Sequence, residues 1–198
     1  SKVFLVAATL RPETMYGQTN CWVGPDIEYG AFQITDNELF VCTDRAALNM
    51  AYQGNSREHG LVERVGTVKG TDLIGCWVRA PLTSAVIPVL PMMTVVATIG
   101  TGIVTSVPGS SADDFACLRD LKEKEAYGDI GAETLVKQLN IRSQNDRDLL
   151  DKAKELLYKE EFYNGTMTVG EFAGKSVQEA KPAVRRLLID NNQAFSYY

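Results

Sequence analysis

The chain of 198 residues has one histidine, four cysteines and no long apolar run. The histidine, His59, lies in the polar stretch from Asn55 to Gly60, so no Ser-His-Asp set can be assembled around a nucleophile. Cys21, Cys42, Cys76 and Cys117 contain no C-x-x-C pair, and with a single histidine they argue against a zinc site. Each cysteine has apolar neighbours, which favours buried free thiols in a reducing compartment over disulfides. The run from Val86 to Val96 is broken by Pro88, Pro91 and Thr94, well short of the roughly 20 apolar residues that cross a bilayer. No charged segment, apolar core and cleavage site open the chain, so no signal peptide is expected. A net charge of −5 argues against gripping long duplex nucleic acid, yet leaves open the reading of one nucleotide at a strand's end.

The remainder is ordinary for a globular chain, 45% hydrophobic and 23% charged, and one domain spanning 1–198 is expected. Residues 2–9 read as a buried strand, and Pro12 suits the first turn of a short helix after it. Further strands are expected at 20–24, 38–43, 76–80, 86–90 and 101–107, between Gly and Pro punctuation. A helix is expected over 43–53 and a single turn at 69–75. From Ser110 the pattern turns helical. A serine-capped helix is expected to end at Gly128. A second, over 143–162, gathers Leu149, Leu150, Ala153, Leu156 and Leu157 on one face. A third, over 175–192, is expected to kink or break at Pro182. Strands first and helices later predict an α+β fold, a small barrel or folded sheet with helices packed on it.

Two stretches carry more chemistry than folding requires. In "AATLRPETMYGQTN" (7–20) Thr9, Arg11, Glu13 and Thr14 fall within six positions, where a simple corner would use glycine or asparagine. The plain alternative is a proline-initiated turn with solvated side chains. In "GTGIVTSVPGSSADD" (100–114) a Gly-Thr-Gly entering a strand implies close backbone approach by another chain or a ligand. Asp113 and Asp114 then fall in the first turn of a helix, where the dipole favours anions. Ordinary capping accounts for such residues too, and for Asp113 it is the better account.

Together, "ATLRPETMYGQTNCWV" and "GTGIVTSVP…DD" resemble the editing domain of leucyl-tRNA synthetases of the archaeal and eukaryotic cytosolic kind. The segment "SQNDRDLLDKAKELLYKEEFYNGTM" resembles one characteristic of that branch, and the likeness covers essentially the whole chain. Isoleucyl and valyl enzymes share this inserted domain. Leu10 beside Thr9 and "MYGQTN" after the loop favour leucyl over the valyl form, which usually reads T-T-R-P-E-T. HIGH-type and KMSKS-type signatures are missing, so the resemblance is to the insertion without its aminoacylation core. One departure is that Tyr127 runs straight into Gly128, where the family carries a longer stretch. A lineage-specific helical segment is expected at about 118–165.

The resemblance implies a β-barrel-centred domain with peripheral helices that hydrolyses the ester between a wrong amino acid and the 3′ end of tRNA(Leu). Norvaline, isoleucine and methionine are the implied targets, and the rest of a cytoplasmic parent synthetase the implied partner. Asp114, six residues after Pro108, matches the aspartate that holds the substrate ammonium. Its helix-start position is expected to keep it ionised. Thr9 is implied near the ester and its water, Arg11 as a holder of the loop or the terminal nucleotide, and Thr14 against the substrate side chain. Leu10, Gly100, Thr101, Gly102, Ser106 and Val107 complete the implied binding set, the glycines admitting the terminal adenosine. No metal, cofactor or membrane is implied, since ATP serves the synthetic core. A valyl-type editing domain and a non-catalytic tRNA 3′-end binding module are the alternatives.

Overall fold

A computed structural model describes residues 1–122, 139–143 and 145–198. Among these residues, eight strands and five helices follow in chain order: β1 (Lys2–Leu5), β2 (Asn20–Val23), β3 (Glu28–Thr35), β4 (Glu38–Cys42), α1 (Asp44–Tyr52), β5 (Glu63–Lys69), α2 (Gly70–Leu73), β6 (Trp77–Arg79), β7 (Val86–Pro91), β8 (Ile103–Ser106), α3 (Ala112–Lys122), α4 (Arg147–Asn164) and α5 (Val177–Asp190). A 3-10 turn at Pro12–Gly17 separates β1 from β2, and another at Gly170–Phe172 precedes α5.

The strands form two four-stranded mixed sheets, ordered β1-β4-β3-β5 and β6-β7-β2-β8. Among the described residues, only β1/β4 and β2/β7 pair in parallel. The inner faces meet in one core, with Tyr29 and Val41 from the first sheet against Cys21, Val23, Val89 and Ile103 from the second. Beyond the sheets, the Thr43 N–H donates to the Thr101 carbonyl at 3.0 Å. The α+β expectation holds. The strands do not close into one barrel among the described residues, because β1, β5, β6 and β8 each have a single neighbour.

Local expectations fared unevenly. The opening strand is neither eight residues long nor buried: β1 ends at Leu5 and is an edge strand, which leaves Val3 and Phe4 exposed. Two strands escaped the reading, β3 and β5. Gly30 and Gly66 sit in their middles, and β5, at the other edge, has no fully buried residue to mark an inward face. Cys21, Cys42 and Cys117 are buried, but Cys76 is exposed, in the turn between α2 and β6. Burial pushes the thiols of Cys42 and Cys117 up to about 12 and that of Cys21 to about 11, which leaves them unreactive near neutral pH.

Helix α5 runs unbroken through Pro182, because the proline lies in its second turn and frees only the carbonyl of the exposed Gln178. A capping box between Ser176 and Glu179 fixes its start, and Val177, Ala180, Val184 and Leu188 bury one stripe. The buried face of α4 is narrower than its leucines suggest: Leu150, Ala153 and Leu157 are covered, while Leu149 and Leu156 are partly exposed. The expected end of α3 at Gly128, the short junction at 127–128 and part of the expected lineage-specific segment lie outside the described residues.

Candidate functional site

The Thr9–Thr14 loop leaves β1 exposed and turns back into the protein through the Pro12 turn. Thr9 Oγ1 accepts the Arg11 N–H at 3.0 Å, and Thr14 Oγ1 donates to the Arg11 carbonyl at 2.7 Å. The second bond fixes the rotamer of a side chain already stiff by β-branching. Leu10 between them is 88% exposed. Arg11 is the anchor. Its Nη1 donates to the Ser110 carbonyl at 2.8 Å, its Nη2 pairs with Glu161, and its Nε lies 3.4 Å from Glu13 Oε1. The guanidinium also stacks 4.2 Å from the ring centroid of Tyr158 on α4. These contacts fit the loop-holding role for Arg11 better than a hold on a nucleotide.

Arg11 thereby ties its loop to the segment that carries Asp114. The same two segments meet at Met15 and Val107, which share an apolar cluster, and at Thr19, whose N–H donates to the Ser106 carbonyl at 3.0 Å. The hydroxyls of Thr19 and Ser106 lie 3.4 Å apart, and Ser106 is fully buried. Two stretches about ninety residues apart in sequence are thus one unit in space.

Asp114 is the third residue of α3. Ser111 caps that helix, its Oγ accepting the Asp114 N–H at 3.3 Å. Ordinary capping would send the carboxylate back to the start of its own helix. Instead its Oδ1 accepts the indole N–H of Trp22 and its Oδ2 the N–H of Val107, both at 2.8 Å. The carboxyl is buried, with 5% exposure, and no lysine or arginine pairs with it among the described residues. Burial raises its pKa to about 6, against the pull of Val107, Trp22 and Ser111. The helix start therefore does not hold the pKa down, although the acid is still ionised at neutral pH, as expected. Desolvation is the larger influence, and the acid is ionised at neutral pH by a margin of only about one unit. Asp113, one residue earlier, pairs with Arg147 of α4 at 2.9 Å, as a structural charge does.

Gly100, Thr101 and Gly102 precede β8, at the end of the strand away from Val107. Both glycines have positive φ. Gly102 is closely approached, but by its own chain: a Cβ there would lie 2.6 Å from Thr43 Cγ2 and 3.0 Å from Tyr29 Cε1. Thr101 is buried and donates to the Ile103 carbonyl at 3.1 Å. Of the three, only Gly100 faces open space.

Sequence reasoning missed Trp22, Glu161, Tyr158 and the burial of Glu13. Trp22 carried a signal, because an indole N–H in a buried strand must find an acceptor. Glu13 is 4% exposed, has one unpartnered carboxylate oxygen among the described residues, and is raised in pKa by burial. Glu161 and Tyr158 carried none, since their partner is about 150 positions away.

No family model matches the chain. It is 49% identical over 218 residues to the cytoplasmic leucine–tRNA ligase of Neurospora crassa, matching all of this chain and 19% of that protein. It therefore spans about a fifth of the curated relatives it matches. Among solved structures, GlLeuRS-CP1 superposes with a TM-score of 0.92 at 39% identity, covering 100% of this chain and 81% of that one. The cytosolic leucyl-tRNA synthetase editing domain of P. knowlesi gives 0.86 at 27%, covering 100% and 84%. An α+β unit matched along its whole length within much longer ligases is, in class, an aminoacyl-tRNA synthetase domain. Within that class the chain belongs to the editing (CP1) domains of leucyl-tRNA synthetases.

Proposed function

We propose that the chain performs post-transfer editing, the hydrolysis of the aminoacyl ester on tRNA(Leu) charged with norvaline, isoleucine or methionine. The observation that carries this reading is Asp114, a buried carboxylate held by neutral donors and left without a cation among the described residues. An aminoacyl ester brings the missing cation, its free ammonium. An ionised carboxylate has about four acceptor directions, so two fixed N–H donors leave capacity for a third.

The need for such a site follows from energetics. A pocket for leucine gains only about 1–3 kcal/mol against an analogue differing by one methylene, so a second sieve must remove what passes. Water attacks an ester oriented by Asp114, Thr9 and Thr14, with Arg11 holding the loop and Ser106 and Val107 forming the support beneath. Leu10 and Gly100, open at the surface, are free to meet the terminal adenosine, with Thr101 and Gly102 shaping the turn behind. Positioning and electrostatics supply the rate, without metal, cofactor or covalent intermediate. The 3′ end of tRNA(Leu) and the rest of a cytoplasmic parent synthetase are the partners.

The test is a deacylation time course with the full-length protein on norvalyl-, isoleucyl-, methionyl- and leucyl-tRNA(Leu), with threonyl-tRNA(Val) alongside. Loss of the first three with leucyl-tRNA spared is expected. Preference for threonyl-tRNA(Val) would assign valyl editing instead, and tight binding without hydrolysis would assign an end-binding module.

A further inference from the structure

We propose that Trp22 is a positioning residue for this reaction, setting the plane of the Asp114 carboxylate so that its remaining acceptor directions meet the substrate ammonium. The inference rests on the editing role of Asp114 proposed above and adds to it the group that aims it.

Trp22 lies in β2, paired with Leu90 of β7 on one side and Val104 of β8 on the other. It is wholly buried and packs against Met92, Cys117 and Leu118, so the indole spans from the second sheet to α3. Its orientation is fixed by that packing and not by Asp114. The one polar atom it carries donates to Oδ1 at 2.8 Å, while a backbone N–H beyond the strand β8, at Val107, donates to Oδ2 at 2.8 Å. With one donor on each oxygen the carboxylate cannot rotate without breaking one bond. Without the indole, Oδ1 loses its donor from the sheet, and only Val107 and Ser111 remain to hold the carboxylate. The sheet therefore dictates the aim of a helix-borne acid, through a ring that never reaches the substrate.

The arrangement also keeps the charge available. Both donors are neutral, so they stabilise the carboxylate without cancelling it. The titratable groups around it are few. Asp113 on the same helix opposes its ionisation, though Arg147 of α4 pairs with Asp113, and the thiol of Cys117 lies one turn further along α3. Removing the indole N–H should leave these untouched and make Asp114 harder to ionise.

The test is norvalyl-tRNA(Leu) deacylation by the full-length protein from pH 5 to 7.5, corrected for uncatalysed hydrolysis. It compares the unaltered protein, Trp22→Phe, and a protein in which residue 22 is β-(3-benzothienyl)alanine, the sulfur isostere of tryptophan. The unaltered protein should lose activity below about pH 6. In both variants the acidic limb should move up by about one pH unit, with kcat/KM at pH 7 down ~2- to 10-fold. The isostere keeps shape and volume, so a change it shares with phenylalanine belongs to the N–H. An acidic limb that stays in place in both variants overturns the inference, even if Trp22→Phe lowers activity through packing. An unaltered protein that clears no norvalyl-tRNA overturns the editing reading itself, and this inference with it.

Discussion

Arg11 and Asp114 are the two charged groups on either side of the candidate site, and the fold treats them in opposite ways. Arg11 is surrounded by complementary groups: two carboxylates, a carbonyl and the face of Tyr158. Its charge is spent within the protein. Asp114 is more deeply buried and, among the described residues, receives only neutral donors, at a cost visible in a pKa raised to about 6. A charge used for architecture is neutralised where it stands, whereas one kept for a ligand is stabilised without a counter-ion. Asp113 provides the control, an acid next in sequence whose charge is matched by Arg147.

The sharpest break of that comparison is Asp114→Ala. Loss of a charge-assisted contact of about 1.5–3 kcal/mol, with the orientation it provides, should reduce norvalyl-tRNA deacylation at least ~10-fold. The variant should unfold cooperatively but at a lower denaturant midpoint, because the N–H groups of Trp22 and Val107 lose their acceptor. Asp114→Asn should not rescue activity, since an amide presents NH₂ to one of two N–H donors. Stability and activity should also part company with pH. A carboxyl raised from its ordinary 3.8 to about 6 contributes stability fully present below 3.8 and lost as pH rises through about 6. Activity needs the ionised form and should climb over the same interval. Asp146, Glu155 and Glu179 are lowered by their hydrogen bonds and pull stability the other way. The stability effect must therefore be read as the difference between wild type and Asp114→Ala in urea at pH 4.5 and 7.

The second break concerns discrimination, which Asp114 cannot provide because every aminoacyl ester carries the same ammonium. Leucine differs from norvaline by branching at Cγ, so exclusion must come from shape. Thr14 offers a stiff wall, held by its bond to the Arg11 carbonyl. Overpacking against it would cost about 1–3 kcal/mol, so Thr14→Ala should speed leucyl-tRNA(Leu) hydrolysis roughly 5- to 150-fold. Thr14→Val keeps the branch and should still exclude leucine, although it forfeits the bond to Arg11. Leucyl-tRNA left intact by the alanine variant, while norvalyl-tRNA is cleared, would remove Thr14 as the gate.

How much of this was legible beforehand follows from how local each feature is. The strands that became β2, β4 and β7 were readable because their apolar runs are bounded by turn residues, and α5 because its buried stripe has helical spacing. The strands β3 and β5 were not, since each is interrupted by glycine and β5 gains its meaning only by pairing with β3. The motif at 100–114 pointed to Asp114 but not to its surroundings, because Trp22 is 92 positions away. Gly100–Gly102 predicted close approach by another chain or a ligand, while the structure gives Gly102 close neighbours in Thr43 and Tyr29 of its own chain. Close approach is visible in a sequence; the identity of what approaches is not.

A smaller effect tests the Arg11 side. Glu161→Ala removes one of two carboxylates from a guanidinium that keeps Glu13, Ser110 and Tyr158, so the loop should loosen without detaching. With side chains 11% and 23% exposed, the pair is better shielded than a surface bridge, and a loss of about 1 kcal/mol is expected. Norvalyl-tRNA deacylation should fall ~3- to 5-fold, with Glu161→Gln intermediate. An alanine variant as active as wild type would mean that the loop holds its shape without the Glu161 carboxylate.

The smallest effect is the most diagnostic of the difference between neighbouring acids. Asp113→Ala breaks a partly exposed ion pair with Arg147, and such pairs are worth about 0–1 kcal/mol. Activity at pH 7 should stay within about twofold of wild type. The residual effect has a predictable sign. Asp113 is one of the influences raising the pKa of Asp114, so removing its charge eases ionisation of the buried acid. Freed of its partner, Arg147 adds to that relief. The acidic limb of the pH–rate profile should therefore move slightly down in Asp113→Ala, opposite to the shift expected when Trp22 loses its N–H. A loss equal to that of Asp114→Ala would show that the two acids share the ammonium, and the contrast between a matched and an unmatched charge would fail.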